Sequence, residues 1–202
     1  MNEQIKQIFA QINRLEDDLH ELIHEQQVEF NFRIEGTKVF FEKNIRETQQ
    51  RLKTGLFRFI RESQPRNLIT APFIYSGIVP VVLLDIWITM YQVICFPLYR
   101  MSKVQRSNYV VIDRQSLSYL NLIEKLNCIY CGYCGGIFAY AREVAARTEQ
   151  YWCPIKHARK ILDPHRRYAQ FVDYGLGEEY HDALINLREE LRVDEKVKRN
   201  LK

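Results

Sequence analysis

Residues 67–99 form an apolar stretch that restricts the possible folds of this chain more than any other feature of its sequence. They carry a single charge, Asp85. About 20 apolar residues suffice to cross a bilayer, so the stretch exceeds one straight span and falls short of two. Helix breakers interrupt it, and at membrane depth they need neighbours that satisfy the freed backbone groups: Pro72, Gly77, Pro80 and Pro97. We therefore expect a membrane segment, either one kinked, tilted span or a re-entrant hairpin bending near 76–80.

The charges flanking this stretch do not decide its orientation in a membrane. Residues 51–66 supply five Lys and Arg side chains and residues 100–114 supply four, which is a near tie under the positive-inside rule. A hairpin with both ends in the cytoplasm would produce such a tie. The competing interpretation is a buried core helix of a soluble protein, with Asp85 as a paired core acid. In lipid, Asp85 would be a carboxylate that needs a partner.

A regular apolar seam over residues 3–26 predicts a long amphipathic helix. Its members alternate in spacing between three and four residues, which is the a/d pattern of a coiled coil: Ile5, Ile8, Ile12, Leu15, Leu19 and Leu22. The seam favours self-association or pairing with a helical protein partner, and packing against the chain's own domain is the alternative. Residues 28–41 alternate like a strand, but without a clear hairpin turn we expect the helix to continue.

Helical periodicity returns over residues 44–62, where basic side chains flank an apolar stripe. A basic amphipathic helix that leads into an apolar segment suits the anionic surface of a cytoplasmic leaflet. A plain solvated face is the alternative. The whole chain has a net charge of only +4. That charge is too small to predict a nucleic-acid partner, which would require basic residues clustered on one face.

Five cysteines, an odd number, point to metal or redox chemistry in a reducing compartment rather than to a secreted disulfide framework. Cys128, Cys131 and Cys134 are each separated by two residues, and Cys153 follows with His157 four residues beyond it. Thiolate and imidazole are ligands of zinc and iron, and this spacing lets two sulfurs reach one ion. The leading hypothesis is a zinc or iron site formed by Cys128, Cys131, Cys153 and His157.

Three alternatives to that metal site stay open. Cys134 replaces His157 if the four cysteines hold a [4Fe–4S] cluster. The thiols are otherwise a metal-free redox pair, or small buried apolar residues.

Glu124 and Glu149 each lie four residues before a cysteine of the predicted set, on the same helical face. They would be hydrogen-bond acceptors that orient His157, ligands of a second metal, or partners of neighbouring basic residues. His165 and His181 show no ligand spacing, and we expect them at the surface.

The string CIYCGYC, residues 128–134, is similar to the cluster-binding string of ferredoxins, particularly the ferredoxin-like subunit of bacterial NADH–quinone oxidoreductase. This resemblance implies a [4Fe–4S] cluster on Cys128, Cys131 and Cys134. That family places its fourth cysteine, followed by proline, where this chain has Phe138, and Cys153-Pro154 would have to replace it.

A longer pair of segments, SYLNLIEKLNCIYC and AREVAARTEQYWCPIKHARK, resembles a bacterial, membrane-associated family that carries both after an apolar stretch. The resemblance covers most of the chain beyond residue 65. It implies the architecture and carries no expectation about chemistry.

His20-Glu21-Leu22-Ile23-His24 matches H-E-x-x-H, the helix of zinc proteases in which two histidines bind zinc and the glutamate activates water. Glu25 follows the second histidine, where the longer protease pattern has an uncharged residue. Leu22 also belongs to the apolar seam. We keep a metalloprotease as the remote alternative, behind two exposed histidines on the flank of a helix.

The sequence therefore predicts a mainly α protein in three regions. Residues 1–66 would be the amphipathic or coiled-coil helical region, 67–99 the membrane segment, and 100–202 a small helical metal-binding domain. In that last region we expect a helix interrupted by Gly132, Gly135 and Gly136, another over 138–152, a further one starting at Pro154 and a charged one over 178–202. The expected location is the bacterial inner membrane, with the C-terminal domain facing the cytoplasm. The expected role is structural or interactive, and the alternative is a membrane redox module with a Cys-ligated iron centre.

Overall fold

The computed structural model describes residues 43–200 continuously, the ranges 32–35 and 38–41, and scattered positions between 7 and 22, all of them helical. Side chains are described over 46–192 and at those N-terminal positions. The protein is mainly helical. Its α-helices within the continuous range are α1 (Lys43–Arg51), α2 (Leu56–Glu62), α3 (Pro65–Ser76), α4 (Ile78–Leu98), α5 (Leu122–Trp152) and α6 (Tyr180–Asn200), and three short 3-10 helices lie at Arg106–Asn108, Arg114–Ser116 and Arg166–Gln170. The predicted charged C-terminal helix is confirmed as α6.

A β-hairpin occupies part of the range in which we expected the N-terminal helix to continue. Strands β1 (Phe32–Glu35) and β2 (Lys38–Phe41) pair antiparallel, with Phe32 opposite Phe41 and Glu35 opposite Lys38. The helical expectation for this range was wrong, because alternation of apolar residues fits a strand and not a helix. In the sequence only Gly-Thr separates the two strands, and a two-residue segment with a leading glycine is a hairpin signal.

The apolar stretch is one long helical run from Pro65 to Leu98 rather than a re-entrant hairpin. Gly77, between α3 and α4, has φ −60° and ψ −15°, so the chain stays in the helical region where the hairpin would have bent. Pro65 opens α3 at a position where a missing N–H costs nothing. Pro72 and Pro97 lie inside the helices, so these two helix breakers do not end the helical run.

The chain forms two compact units. The first unit contains Asp85–Arg106 and the residues from Ala139 onward, and the second contains the hairpin, the chain up to Leu84 and Ser107–Phe138. The core of the first unit consists of buried apolar side chains, among them Phe96, Tyr140, Val144, Phe171 and Leu191. The core of the second unit is Val81, Cys134 and Ile137, packed with Ile78, Leu84, Val110, Tyr130 and Tyr133.

Helix α5 runs through the three glycines that we expected to interrupt it. A Cβ at Gly136 would lie 2.7 Å from the Tyr109 carbonyl oxygen, and one at Gly132 would lie 3.2 Å from the Val111 carbonyl oxygen. The segment 109–111 therefore packs directly on the helix backbone at these two positions. The glycines allow a close approach and do not end the helix, so the predicted break between two helices was wrong.

The chain after α5 is not helical at Pro154, where we expected another helix to begin. Ile155 forms a parallel bridge with Val172. The Val172 amide donates to the Pro154 carbonyl at 2.9 Å, and the Lys156 amide donates to the Val172 carbonyl at 2.8 Å. Because Pro154 is buried and its neighbours are held by this bridge, the chain is extended here. A loop over 153–176 results, which belongs to the first unit and has Tyr168 and Phe171 buried.

Candidate functional site

Helices α3 and α4 carry an exposed face of large apolar side chains, which we call the apolar face. It repeats every three or four residues, so it follows one side of each helix. Its members are Leu68, Ile69, Phe73, Val79, Val82, Leu83, Ile86, Trp87, Met90, Val93 and Ile94. In monomeric soluble proteins, contiguous exposed apolar patches of this kind are rare and mark an interaction surface.

The polar residues of α4 lie on its other side. Thr89 Oγ1 donates to Asp85 Oδ1 at 3.4 Å. Gln92 is buried, and it donates to the Val104 carbonyl at 3.2 Å and to the Tyr140 hydroxyl at 2.9 Å, while it accepts from the Val104 amide at 2.6 Å. Asp85, Thr89 and Gln92 are spaced by four and three residues, so the helix separates a polar packed side from the apolar face.

Asp85 has the charged partner that its position requires. Arg106 donates to both carboxylate oxygens, from Nε at 3.0 Å and from Nη2 at 2.7 Å. This is a bidentate geometry, the strongest arrangement for such a pair. The Asp85 side chain is 15% exposed and that of Arg106 is 42% exposed, so water reaches the arginine end of the pair.

The run Pro65–Leu98 is the one helix, among the described residues, that is long and apolar enough to cross a membrane. Only 11% of its most apolar window is buried within the protein. A core helix of a soluble protein would be mostly buried, so the burial argues against that interpretation.

The predicted metal ligands do not come together among the described residues. Cys128, Cys131 and Cys134 all lie on α5, whereas Cys153 follows the end of that helix. All are free thiols, and so is Cys95. Cys131 and Cys153 are exposed, and Cys134 is buried against Val81 and Ile137. Within the described ranges, no group of three or more His, Cys, Asp or Glu side chains is placed to hold a metal ion.

The other residues assigned to that site have different partners. The carboxylate of Glu124 accepts from the backbone N–H of Asn121 at 2.8 Å, and the backbone N–H of Glu124 donates to Asn121 Oδ1 at 3.1 Å, which is a reciprocal cap of α5. Glu149 lies 3.0 Å from His165 Nε2. The ring of His157 stacks on that of Tyr168, and the His157 amide donates to the Tyr168 hydroxyl at 2.7 Å. The described residues therefore do not support the metal site, which stays a prediction.

The N-terminal predictions are only partly covered by the described residues. Ile8, Ile12, Leu15, Leu19 and Leu22 are helical and exposed. Ile5, His20 and His24 lie outside the described residues, so the H-E-x-x-H interpretation also stays a prediction.

A buried polar network in the first unit was not foreseen from the sequence. Glu143 accepts from Arg147 at 2.8 Å and from Arg167 at 3.1 Å. Arg167 also donates to Gln150 Oε1 at 2.8 Å, and Gln150 donates to the Leu187 carbonyl at 2.9 Å. The network joins α5, the loop and α6 through charge-assisted hydrogen bonds. The i,i+4 spacing of Glu143 and Arg147 was the available signal.

His165 was expected at the surface and is instead largely buried. Its ring packs on Tyr168 and Phe171, and its Nδ1 is buried without a hydrogen-bond partner among the described atoms.

In the same loop, Lys156 donates to Asp173 at 2.7 Å, and this hydrogen bond holds the pKa of the Asp173 carboxyl below its usual value. These contacts hold the loop together, and the contact of His165 Nε2 with Glu149, at 3.0 Å, connects the loop to α5.

Comparison with known proteins does not add a function to this geometry. The chain matches no protein-family model, no curated protein and no solved structure.

Proposed function

We propose that this chain is a membrane-attached protein with a structural or interaction role, held in the bilayer by the apolar face of α3 and α4. The observation that carries the proposal is the exposure of that face along a helical run with one charge between residues 67 and 99. Leaving this much apolar surface in water is unfavourable by roughly 25 cal/mol per Å². Lipid would remove the cost without any change in the fold.

The contacts of α4 favour attachment along the membrane surface over a full crossing. Val104 and Arg106 pack beside α4 through Gln92 and Asp85, and Lys103, next to them, is exposed. A crossing helix would place these cations in hydrocarbon, at a cost of several kcal/mol. A helix lying in the interface keeps the apolar face in lipid and the opposite side in water.

The proposed location is the cytoplasmic face of a bacterial inner membrane. Five free thiols suit a reducing compartment. The near-equal positive charge on both sides of the apolar stretch is also what two cytoplasmic flanks would give.

Within this proposal, the N-terminal apolar seam is the interaction element. Its described members are exposed, as a surface that pairs with another helix requires.

Two glutamates on the apolar face test the proposal. Ile86→Glu/Ile94→Glu places two carboxylates in the lipid-facing side of α4, each costing up to about 3 kcal/mol at membrane depth and less near the interface. We expect wild type to sediment with membranes after salt washing and to require detergent for release. The double variant should move to the supernatant.

A matched control places two glutamates at exposed apolar positions elsewhere. Ile86 and Ile185 are almost equally exposed, at 58% and 57%, and Leu162 is more exposed still. Leu162→Glu/Ile185→Glu should therefore stay with the membranes. Wild-type protein that is fully soluble without detergent would refute the proposal, and so would equal behaviour of the two double variants.

A further inference from the structure

The second unit contains a cavity of about 390 Å³ between α2, α3 and the first half of α5. This volume is within the range of about 300–1,000 Å³ of small-molecule sites. Its apolar walls include Phe59 and Ile60 from α2, Leu68, Ala71 and Ile74 from α3, and Ile123 from α5.

Most polar groups in the cavity wall already form hydrogen bonds with other groups of the protein. Tyr130 donates to the Ile74 carbonyl at 2.5 Å, and Tyr75 bonds Asn127. Ser63 donates to the Phe59 carbonyl and Thr70 to the Arg66 carbonyl. Desolvation by burial raises the pKa of the Tyr130 phenol above its ordinary value. Since most of the polar lining is already satisfied, the interior favours an apolar chain over a polar molecule.

The charges around the cavity are mostly positive. The segment 51–66, which supplies α2 and the start of α3, has five basic residues against one acid, Glu62. Glu62 is already paired with Arg58 at 2.8 Å. Arg61 and Arg66 are exposed on the same two helices that form the wall. An occupant with an apolar chain and a negative head matches both the interior and its surroundings.

We propose that this cavity binds one acyl chain of an anionic phospholipid, with the headgroup held by the basic residues of 58–66. The proposal rests on the membrane attachment proposed above, and deepens it by naming the lipid. The cavity would let α2 and α3 select anionic lipid instead of merely contacting a bilayer.

Cys131 gives a direct readout, because its exposed thiol also lines the cavity. Wild-type protein in dodecyl maltoside micelles is treated with N-ethylmaleimide, and modification of each cysteine is followed by peptide mass spectrometry. Palmitoyl-oleoyl phosphatidylglycerol is added at about ten times its half-saturating concentration. Occupancy should then slow alkylation of Cys131 about tenfold, and the same amount of phosphatidylcholine should slow it much less.

Cys153 serves as the control thiol within the same molecule. It is exposed and not part of the cavity wall, so its alkylation rate should not change with either lipid. Equal slowing of Cys131 and Cys153 would overturn the proposal, as would equal protection of Cys131 by the two lipids.

Filling the cavity provides a second test. Ala71→Phe puts a ring into the space that the acyl chain would occupy, and native mass spectrometry should show loss of the phosphatidylglycerol adduct. Ala139→Phe makes the same substitution at an exposed position of α5 outside the wall, and it should keep the adduct. An adduct retained by Ala71→Phe would refute the lipid site.

Different experimental results would refute the lipid site and the membrane attachment. Ala71→Phe leaves the apolar face intact, so this variant should still sediment with membranes. If wild type sediments with membranes but Cys131 is never protected, only the lipid site is wrong. If wild type is soluble without detergent, the attachment itself is wrong.

Discussion

Gly135 and Gly136 are adjacent in α5, but only Gly136 lies against another segment of the chain. A Cβ at Gly136 would lie 2.8 Å from Val110 Cα and closer still to the Tyr109 carbonyl, whereas a Cβ at Gly135 would meet nothing within 4 Å. Gly136→Ala should therefore destabilise the protein by about 1–3 kcal/mol through overpacking against backbone. Gly135→Ala should stabilise it by about 0.5–1 kcal/mol, because alanine favours a helix over glycine.

Thermal unfolding of both variants, followed by circular dichroism in the same detergent, measures the two effects. Each variant is the control for the other, since the substitution and the helix are identical. A Gly136→Ala variant as stable as Gly135→Ala would show that segment 109–111 does not pack on α5.

The Lys156–Asp173 pair makes a pH-dependent contribution to stability. Its hydrogen bond lowers the pKa of Asp173 from the ordinary value of 3.8. Because the folded pKa is below the unfolded one, the contribution is complete above about pH 3.8 and is lost as the pH falls through the folded pKa. Asp173 is 37% exposed, so solvent screening limits the contribution to about 1 kcal/mol or less.

We expect Lys156→Gln to lower the melting temperature at pH 7 and to differ much less from wild type near pH 3. Lys160→Gln, at an exposed lysine of the same loop, should have little effect at either pH. An effect of Lys156→Gln that is just as large near pH 3 would contradict the role of the charged carboxylate.

At the scale of elements, α6 and the apolar helix could be predicted because charge and hydropathy are local properties of the chain. The path of α5 could not. Whether Gly136 ends a helix or allows a close approach depends on where residues 109–111 run, and that information is not local. The pairing of β1 and β2 was missed for a different reason: the Gly-Thr between them in the sequence is a weaker turn signal than Asn-Gly.

The apolar seam of the N-terminal helix supports a prediction about assembly. Ile12→Asp/Leu19→Asp places two charges at exposed a/d positions, which should weaken helix pairing. Light scattering and chemical cross-linking should show a smaller assembly or the loss of a bound partner.

Gln7→Asp/Gln11→Asp is the matched control, because it adds two charges to the same helix outside the seam. If the double seam variant keeps the assembly of wild type, the seam does not mediate association.

At the scale of the whole molecule, the long apolar helix could be predicted from the sequence, but the contacts that its polar residues make could not. The need of Asp85 for a partner follows from its apolar surroundings. The identity of that partner, Arg106, depends on how the chain turns after Leu98. The Glu143 network was missed because each member is an ordinary polar or charged residue of an amphipathic pattern. Local spacing cannot reveal that Arg167 reaches Glu143.

The metal hypothesis stays a prediction with a direct chemical test. A site on Cys128, Cys131, Cys153 and His157 would give about one zinc or iron ion per chain in elemental analysis of anaerobically purified protein. Cys153→Ser would then release the metal and lower thermal stability, whereas Cys134→Ser would retain it. A brown protein that bleaches on reduction would indicate an iron–sulfur cluster instead. Metal-free protein would leave two interpretations of the thiols, a metal-free redox pair and small apolar residues.

Attachment along the membrane surface predicts that both flanks of the apolar helix face the cytoplasm. Two single-cysteine proteins report the flanks, one keeping Cys153 and one carrying Lys53→Cys, each with the remaining cysteines replaced by serine or alanine. Both sites are exposed. In spheroplasts, a membrane-impermeant maleimide should label neither, and after lysis it should label both. A helix that crosses the bilayer places its flanks on opposite sides, so labelling of one cysteine alone in spheroplasts would refute surface attachment. Labelling of both would place the protein on the outer side of the membrane, against the compartment that its free thiols favour.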